Sequence, residues 1–380
     1  MLKHIRLSHW LSLAALGVSM SAMVGCESTA TQMDSQNNVQ LIAGTYNTKG
    51  SEGLYGLSYN TRTQRFTEPH LLAKAGNPSW VQVNGNRVYV TNELGDGRLT
   101  TYSLSDEGTI QELGSVLTNG ASPCYISLSP DQKYLATANY MGGNVSIFTL
   151  DGNQVPLAEP QVLQNFGKGP NTSRQEAAHV HWVQWSNDQK HLYSVDLGTD
   201  EIKIYPFDPV SGKAGKGDVA FKLQPGDGPR HLYFHPQHNN IAYILNELSN
   251  TLVVVRVNNE GYFSELQRVY TLPSDFTEHS QAAHLYITGD GKHLYASNRG
   301  HDSIAVFAVG ADGKLSLQEL EPVLGDWPRH FTVLESQQTL LVANQESNNI
   351  VAFKIEDDGN LSPLGEQVAV PQSTFLGTLK

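Results

Sequence analysis

A β-hairpin pattern recurs along the chain, and this repeat limits the possible folds more than any other feature. Each copy has a short apolar run ending in Asn or Asp, a polar turn, and a second run in which apolar and polar residues alternate. Such runs are typical of two antiparallel strands joined by a turn. A loose first copy and six well-aligned copies occupy residues 41–59, 88–104, 134–150, 192–207, 242–257, 294–309 and 340–355. In the six aligned copies the Asn or Asp recurs about every 50 residues, the spacing of a four-stranded propeller blade.

Seven such hairpins predict an all-β protein, a seven-bladed β-propeller that occupies residues 40–380. Most units open with a turn that contains proline, such as the one at Pro123. The last strand should lie within residues 372–379 and pair with the N-terminal blade, because this pairing covers free sheet edges. No segment after residue 40 shows helical periodicity. We therefore expect one all-β domain after the first 39 residues.

Two positions of the repeat vary in a way that scaffold positions would not. The first lies in the turn that opens each blade and holds Ser79, Cys124, His181, Arg230, Ala283 and Arg329. The second directly follows the Asn or Asp and holds Glu93, Tyr140, Leu197, Glu247, Arg299 and Gln345. Equivalent positions of all blades converge around the central channel of a propeller. We therefore expect both sets at one mouth, whereas His231 and His330 should point the other way, into packing.

The side chains at these positions suit a ligand that carries or develops negative charge, because guanidinium groups bind carboxylates and phosphates and stabilise an oxyanion. The candidates for chemistry are His181, Arg230, Glu247 and Arg299. The candidates for substrate binding are His179, Arg329, Glu93, Tyr140 and Gln345. In a strand, His179 and His181 would share a face, but no third His, Asp or Glu completes a metal site by spacing. We expect neither a metal nor another cofactor.

The first residues are predicted to be an export signal rather than part of the fold. A charged start, residues 1–6, precedes the apolar stretch 10–25 and then Cys26. Small residues before a cysteine resemble a bacterial lipobox, although a plain secretory signal is an alternative. We predict a lipoprotein signal peptide over residues 1–25, lipidation of Cys26 and a flexible tether over residues 26–39. Glu27 favours the periplasmic side of the outer membrane.

The net charge argues against nucleic acid as a partner, and the cysteine content argues against a disulfide within the chain. The chain has 25 Lys and Arg against 37 Asp and Glu, a net charge of −12. Residues 1–25 contain Lys3 and Arg6 and no acid, so the mature chain would carry −12 − 2 = −14. An acidic surface argues against nucleic acid as a partner. With Cys26 lipidated, Cys124 has no disulfide partner and is interpreted as a packing residue. We expect a monomer that contacts the membrane only through its lipid anchor.

Several short motifs carry a family resemblance. They are AGTY (43–46), QEAAHVHWV (175–183), VDLGTD (195–200), GPRHLYFHP (228–236), LNELSNT (245–251) and SNRGHDSI (297–304). With them the chain, over residues 40–380, resembles the bacterial β-propeller lactonase family of the 6-phosphogluconolactonase type, with fungal muconate cycloisomerase as a distant relative. The combination GPRHxxxHP followed by NEL is the more specific part of the resemblance.

The resemblance implies a lactonase whose proposed site maps onto His181, Arg230, Glu247 and Arg299. We expect Glu247 as general base, His181 sharing that role or protonating the leaving oxygen, and the two arginines on the carbonyl oxygen. The substrate would be a small lactone, anionic or sugar-derived. Export would separate the protein from cytoplasmic 6-phosphogluconolactone, which leaves the exact lactone open. The alternatives are a non-enzymatic periplasmic binding or scaffold propeller and a cycloisomerase that acts on an unsaturated dicarboxylate.

Overall fold

Seven antiparallel sheets, arranged as the blades of a β-propeller, make up most of residues 37–379, the part of the chain that the computed structural model describes. The expectation of an all-β, seven-bladed propeller is confirmed. The predicted signal peptide, the lipidated Cys26 and most of the predicted tether lie outside the described residues. None of the helical segments within residues 37–379 has the length and hydropathy of a membrane-spanning helix.

The strands follow one another blade by blade. Blade 1 contains β1 (Asn38–Thr45), β2 (Gly53–Asn60), β3 (Arg65–Phe66), β4 (His70–Lys74) and the C-terminal β30 (Ser373–Thr378). Blade 2 contains β5 (Pro78–Asn84), β6 (Arg87–Asn92), β7 (Arg98–Leu104) and β8 (Ile110–Leu117). Blade 3 contains β9 (Pro123–Leu128), β10 (Tyr134–Asn139), β11 (Asn144–Thr149) and β12 (Gln161–Gln164). Blade 4 contains β13 (Val180–Trp185), β14 (His191–Asp196), β15 (Glu201–Asp208), β16 (Lys213–Ala214) and β17 (Asp218–Lys222).

The remaining blades have four strands each. Blade 5 contains β18 (Pro229–Phe234), β19 (Ile241–Asn246), β20 (Thr251–Val257) and β21 (Phe263–Tyr270). Blade 6 contains β22 (Gln281–Ile287), β23 (His293–Arg299), β24 (Ser303–Val309) and β25 (Leu315–Pro322). Blade 7 contains β26 (Pro328–Leu334), β27 (Thr339–Asn344), β28 (Asn349–Ile355) and β29 (Leu361–Ala369), with the short 3-10 helix η1 (Glu335–Gln337) between β26 and β27.

The C-terminal strand closes the ring. β30 pairs antiparallel with β1, from Leu41 opposite Thr378 to Gly44 opposite Phe375. It is the innermost strand of blade 1, so the two ends of the described chain share one sheet. The predicted closing strand is confirmed, and it covers the edge of β1 that would otherwise be free.

The innermost strand of every blade has a β-bulge near its start, where its pairing with the next strand shifts register. The bulged residues, which we call the bulge layer, are Ser79, Cys124, His181, Arg230, Ala283, Arg329 and Thr374. In blade 6 the bulge also includes His284. A bulge turns its side chain out of the regular alternation of a strand. Six of the seven are the first set of repeat positions found in the sequence.

The residues that directly follow the seven bulge-layer residues form a second layer, which we call the aromatic layer. They are Trp80, Tyr125, Trp182, His231, His284, His330 and Phe375. The ring of Trp80 lies at the centre, with its centroid 4.5–6.3 Å from those of the other six. His231 and His330 are buried here, which confirms that they point into packing. On its other side this layer borders a cavity of about 880 Å³ at the opposite mouth of the channel.

Candidate active site

A cavity of about 330 Å³ lies over the bulge layer and holds most of the side chains that the repeat selected. The residues that line it are Tyr46, Glu93, Cys124, Tyr140, Arg174, His181, Glu247, Gln281, Arg299, Trp327 and Arg329. Bulge residues come from the starts of innermost strands, and residues such as Glu93 and Glu247 directly follow the second strands. Both sets of repeat positions therefore lie at one mouth of the central channel, as expected from the alignment of the repeats.

Glu247 lies among three arginines. Its Oε2 accepts a hydrogen bond from Nε of Arg230 and forms an ion pair with Nη2 of Arg299, both at 3.0 Å. Its Oε1 accepts from Nη2 of Arg174 at 2.5 Å. Both oxygens of this carboxylate are thus occupied by guanidinium groups. Pairs of this kind are strong because both partners are charged.

The charges of this cluster determine the protonation states of Glu247 and Arg230. Burial alone would raise the pKa of Glu247, but Arg299, Arg230 and Arg174 lower it well below its usual range. Burial, with repulsion from Arg299, lowers the pKa of Arg230 to about 9, so this guanidinium still carries its charge near neutral pH. Glu247 is therefore a carboxylate at any physiological pH, and it is a weak base because its pKa is so low.

His181 contributes an uncharged imidazole to the wall of the cavity. It is the bulged residue of β13 and is 7% exposed. Burial and the charge of Arg230 lower the pKa of His181 well below its usual value. Its Nδ1 is buried and has no hydrogen-bond partner within residues 37–379. The ring stands edge-on to Tyr140, with the two centroids 5.6 Å apart.

A second polar cluster lies across the cavity, on blades 1, 2 and 7. Nη2 of Arg329 donates to the hydroxyl of Tyr46 at 2.7 Å, and that hydroxyl donates to both carboxylate oxygens of Glu93 at 2.9 Å. The Arg329 guanidinium also lies 5.0 Å from the centre of the Tyr46 ring. Burial raises the pKa of Tyr46 above its usual value, so the phenol remains protonated. This cluster fixes the Arg329 guanidinium at the cavity wall, which also carries those of Arg174 and Arg299.

Three of the predicted residues lie just behind the cavity wall. Arg230 is 4% exposed and supports Glu247 from below while donating to the backbone oxygen of Ala283. The ring of His179 stacks on Tyr140, with centroids 4.6 Å apart, and its nitrogens contact Tyr140 O and Glu176. Gln345 is 7% exposed and donates to neighbouring glutamate and glutamine side chains.

Cys124 lines the cavity but shows no sign of reactivity. Burial raises the pKa of its thiol, which therefore stays neutral. Its Sγ lies 3.5–3.9 Å from the backbone oxygens of Ala138, Val180 and His181. A catalytic thiol needs a lowered pKa, so these contacts fit the interpretation of Cys124 as a packing residue.

Four cavity residues escaped the sequence reasoning: Tyr46, Arg174, Gln281 and Trp327. Tyr46 follows Thr45 at the end of β1 and so occupies the second repeat position in the loose first copy, where AGTY was the available signal. Trp327 precedes β26 and lies 5.4 Å from the guanidinium of Arg299. Arg174 lies in an irregular connection that carries no repeat signal.

The donor set of this site suits anions rather than metal ions. Among residues 37–379, no group of three or more His, Cys, Asp or Glu side chains is arranged to bind a metal ion. Both carboxylates of the cavity already accept hydrogen bonds from arginine or tyrosine. Guanidinium groups and a tyrosine are left to contact a ligand.

Comparison with known proteins gives consistent matches over almost the whole described region. The family described as lactonase, 7-bladed β-propeller, matches residues 40–377. The 6-phosphogluconolactonase of Bacillus subtilis (strain 168) is 37% identical over 339 residues, which cover 86% of this chain and 95% of that protein.

Two solved structures have the same fold as this chain. The periplasmic gluconolactonase of Pseudomonas aeruginosa has a TM-score of 0.84 and 29% identity, and the match covers 90% of this chain and 99% of that one. A protein from Lactobacillus plantarum has a TM-score of 0.85 and 29% identity, with coverage of 90% and 100%.

Proposed function

Because the chain belongs to the lactonase family of seven-bladed β-propellers, we propose that it hydrolyses the ester bond of a sugar-derived lactone without a metal. The observation that carries this proposal is the wall of the cavity, which is lined by three arginines and an uncharged, buried histidine. An enzyme that opens an ester must accept a proton from water and stabilise an oxyanion. His181 and Arg299 supply these two functions within one cavity.

The charges at the cavity do not cancel. Four arginines face two glutamates: Arg174, Arg230, Arg299 and Arg329 against Glu93 and Glu247. With all six ionised, the net charge is 4 − 2 = +2. The surplus is favourable for an oxyanion and for a substrate that brings negative charge of its own, although the protein as a whole is acidic.

In the proposed reaction, water attacks the carbonyl carbon of the lactone. His181 accepts a proton from the water, and Arg299 donates to the carbonyl oxygen as negative charge develops there. Arg230 adds its charge from behind. The ring C–O bond then breaks, the alkoxide takes up a proton, and the product is the open hydroxy acid. The same imidazole, protonated in the first step, supplies that proton.

The general base is assigned to His181 rather than to Glu247. Both oxygens of Glu247 are bound by guanidinium groups, so this carboxylate is committed to ion pairs. His181 lines the cavity, is neutral because burial and the charge of Arg230 lower its pKa, and forms no ion pair within residues 37–379. Glu247 instead holds the arginines in place and limits their mutual repulsion.

The test is lactone hydrolysis by the purified protein, followed by pH-stat with 6-phosphogluconolactone and with glucono-1,5-lactone, each corrected for spontaneous opening. We expect a rate above background that persists in EDTA, and a loss of at least about 100-fold in His181→Ala. Loss of activity in EDTA would overturn the metal-independent mechanism. If neither lactone is opened, the binding propeller or the cycloisomerase becomes the better description.

We also propose that the protein is exported and anchored by a lipid on Cys26, on the periplasmic side of the membrane. The lipobox-like sequence before Cys26 supports this proposal, as does the similarity to a periplasmic gluconolactonase. Cell fractionation of Cys26→Ala tests it, because the variant should leave the membrane fraction. Retention of the variant in that fraction would contradict the anchor.

A further inference from the structure

One connection between blades is much longer than the others, and it reaches over the cavity. Between β12 and β13, residues 165–179 form an irregular segment of 15 residues, whereas the six equivalent connections from an outer to an innermost strand have 3 to 10. Long irregular connections in compact domains are usually functional. This one supplies Arg174, the single cavity arginine that is not on a bulge or at a strand end within residues 37–379.

The segment is anchored directly after Arg174. Gln175 is fully buried and donates to the backbone oxygen of Leu197 at 2.8 Å and to Oδ1 of Asp200 at 2.7 Å. The stack of His179 on Tyr140 holds the end of the segment. The backbone next to Arg174 is thus fixed, and only its side chain is free to change partners.

Arg174 differs from the other two arginines that bind Glu247. Its side chain is 29% exposed, against 5% for Arg230 and 4% for Arg299. Both of its side-chain hydrogen bonds use Nη2, which donates to Oε1 of Glu247 and to the hydroxyl of Tyr140. Within residues 37–379, Nε and Nη1 have no such partner and remain for a ligand.

We propose that Arg174 determines specificity for lactones that carry an anionic group, a phosphate or a carboxylate. In the free protein its guanidinium caps Oε1 of Glu247; when substrate enters, it turns to the anionic group. Glu247 tolerates the exchange because Arg230 and Arg299 still neutralise it. The released Oε1 then accepts a hydrogen bond from a substrate hydroxyl. This inference rests on the proposed lactonase function and names its substrate class.

Steady-state kinetics of Arg174→Gln test the proposal. We expect KM for 6-phosphogluconolactone to rise about 10- to 100-fold, the range for one charged hydrogen bond, with kcat changed far less. KM for uncharged glucono-1,5-lactone should change less than about 2-fold. Glucaro-1,4-lactone, which carries a carboxylate, shows whether phosphate or any anion is recognised. Arg174→Lys should recover part of the loss, because it restores the charge without the planar fork.

The matched control is Arg256→Gln, which removes the same charge from an exposed side chain near the far end of β20. It should leave both KM values unchanged. An equal rise of KM for charged and uncharged lactones in Arg174→Gln would overturn the proposal, since it would indicate a general effect on the cavity.

A binding experiment separates this inference from the lactonase proposal. Isothermal titration with 6-phosphogluconate should show binding to the wild type that weakens at least about 10-fold in Arg174→Gln. If no lactone is hydrolysed but this difference is seen, the anion site stands and the lactonase function fails. If lactones are hydrolysed and both proteins bind 6-phosphogluconate equally, the function stands and the role of Arg174 is overturned.

Discussion

The bulge layer and the aromatic layer are one residue apart in sequence and differ in almost every physical property. Arg329 lines the cavity and Arg230 lies just behind its wall, and both carry charge. The next residues, His231 and His330, are packed among aromatic rings and uncharged. The β-bulge makes this separation possible, because it turns one side chain out of the strand alternation without moving its neighbour. The propeller can therefore change its chemistry in one layer while the other keeps the channel filled.

The two layers also differ in the charge state of their titratable side chains. The cavity keeps its groups ionised by pairing them, as Glu247 does with three arginines. The aromatic layer offers its histidines no carboxylate partner among residues 37–379, so they are buried in neutral form. Nε2 of His231 accepts from Nη1 of Arg230 at 2.6 Å, and Nδ1 of His330 accepts from the amide of Leu376 at 3.3 Å. Protonation of either accepting nitrogen would break these contacts.

The largest expected effect is the loss of stability of the aromatic layer in acid. Burial lowers the pKa of His330 to about 3 and those of His231 and His284 well below the usual value. Below the unfolded pKa of about 6.5, the unfolded chain binds protons that the folded chain does not, so stability falls as pH falls. Each histidine contributes up to about 1.4 kcal/mol per pH unit, and the three together roughly 4 kcal/mol per unit.

Urea unfolding at pH 7, 6 and 5 measures this slope. The control is His284→Phe, which places in blade 6 the ring type that Phe375 provides in blade 1. This variant should reduce the contribution of the layer by about a third, since two titrating histidines remain. An unchanged slope in the variant would mean that acid destabilisation arises outside the aromatic layer.

Removal of the charge that organises the cavity should have the next largest effect. Glu247→Gln leaves three guanidinium groups without their shared partner, so we expect unfolding free energy to fall by about 3 kcal/mol. Lactone turnover should fall on the order of 100-fold, because Arg299 loses the ion pair that, together with the backbone oxygens of Gln281 and Ala282, positions it. Chemical denaturation and pH-stat assays measure the two quantities separately.

Glu93→Gln is the matched variant for Glu247→Gln. Glu93 accepts hydrogen bonds from Tyr46 and forms no ion pair with an arginine within residues 37–379, so its loss should cost less of both stability and turnover. Equal effects of the two substitutions would show that the three-arginine cluster is not the centre of the site.

The sequence predicted most of the bulge layer because its residues keep a constant distance from a repeated strand pattern. Thr374 was missed because the innermost strand of blade 1 comes from the other end of the chain. Arg174 could not be found in this way, since its position depends on the contacts of Gln175 and not on any period. The expectation of Glu247 as general base, with His181 sharing that role, came from the repeat register, the family resemblance and the neighbouring arginines, and it stays a prediction. Basicity depends on how closely the arginines approach, which a sequence does not show.

The smallest expected effect concerns Cys124, which belongs to the bulge layer by position but resembles the aromatic layer in being buried and uncharged. We expect Cys124→Ala to leave lactone turnover within about 2-fold and to cost about 1 kcal/mol of stability, as for other small core truncations. The thiol should also react slowly with iodoacetamide at pH 8, because a neutral thiol is a poor nucleophile. Rapid alkylation that abolishes turnover, together with an inactive Cys124→Ala, would instead identify a nucleophile in the bulge layer. Cys124 would then differ from the buried, uncharged residues of the aromatic layer.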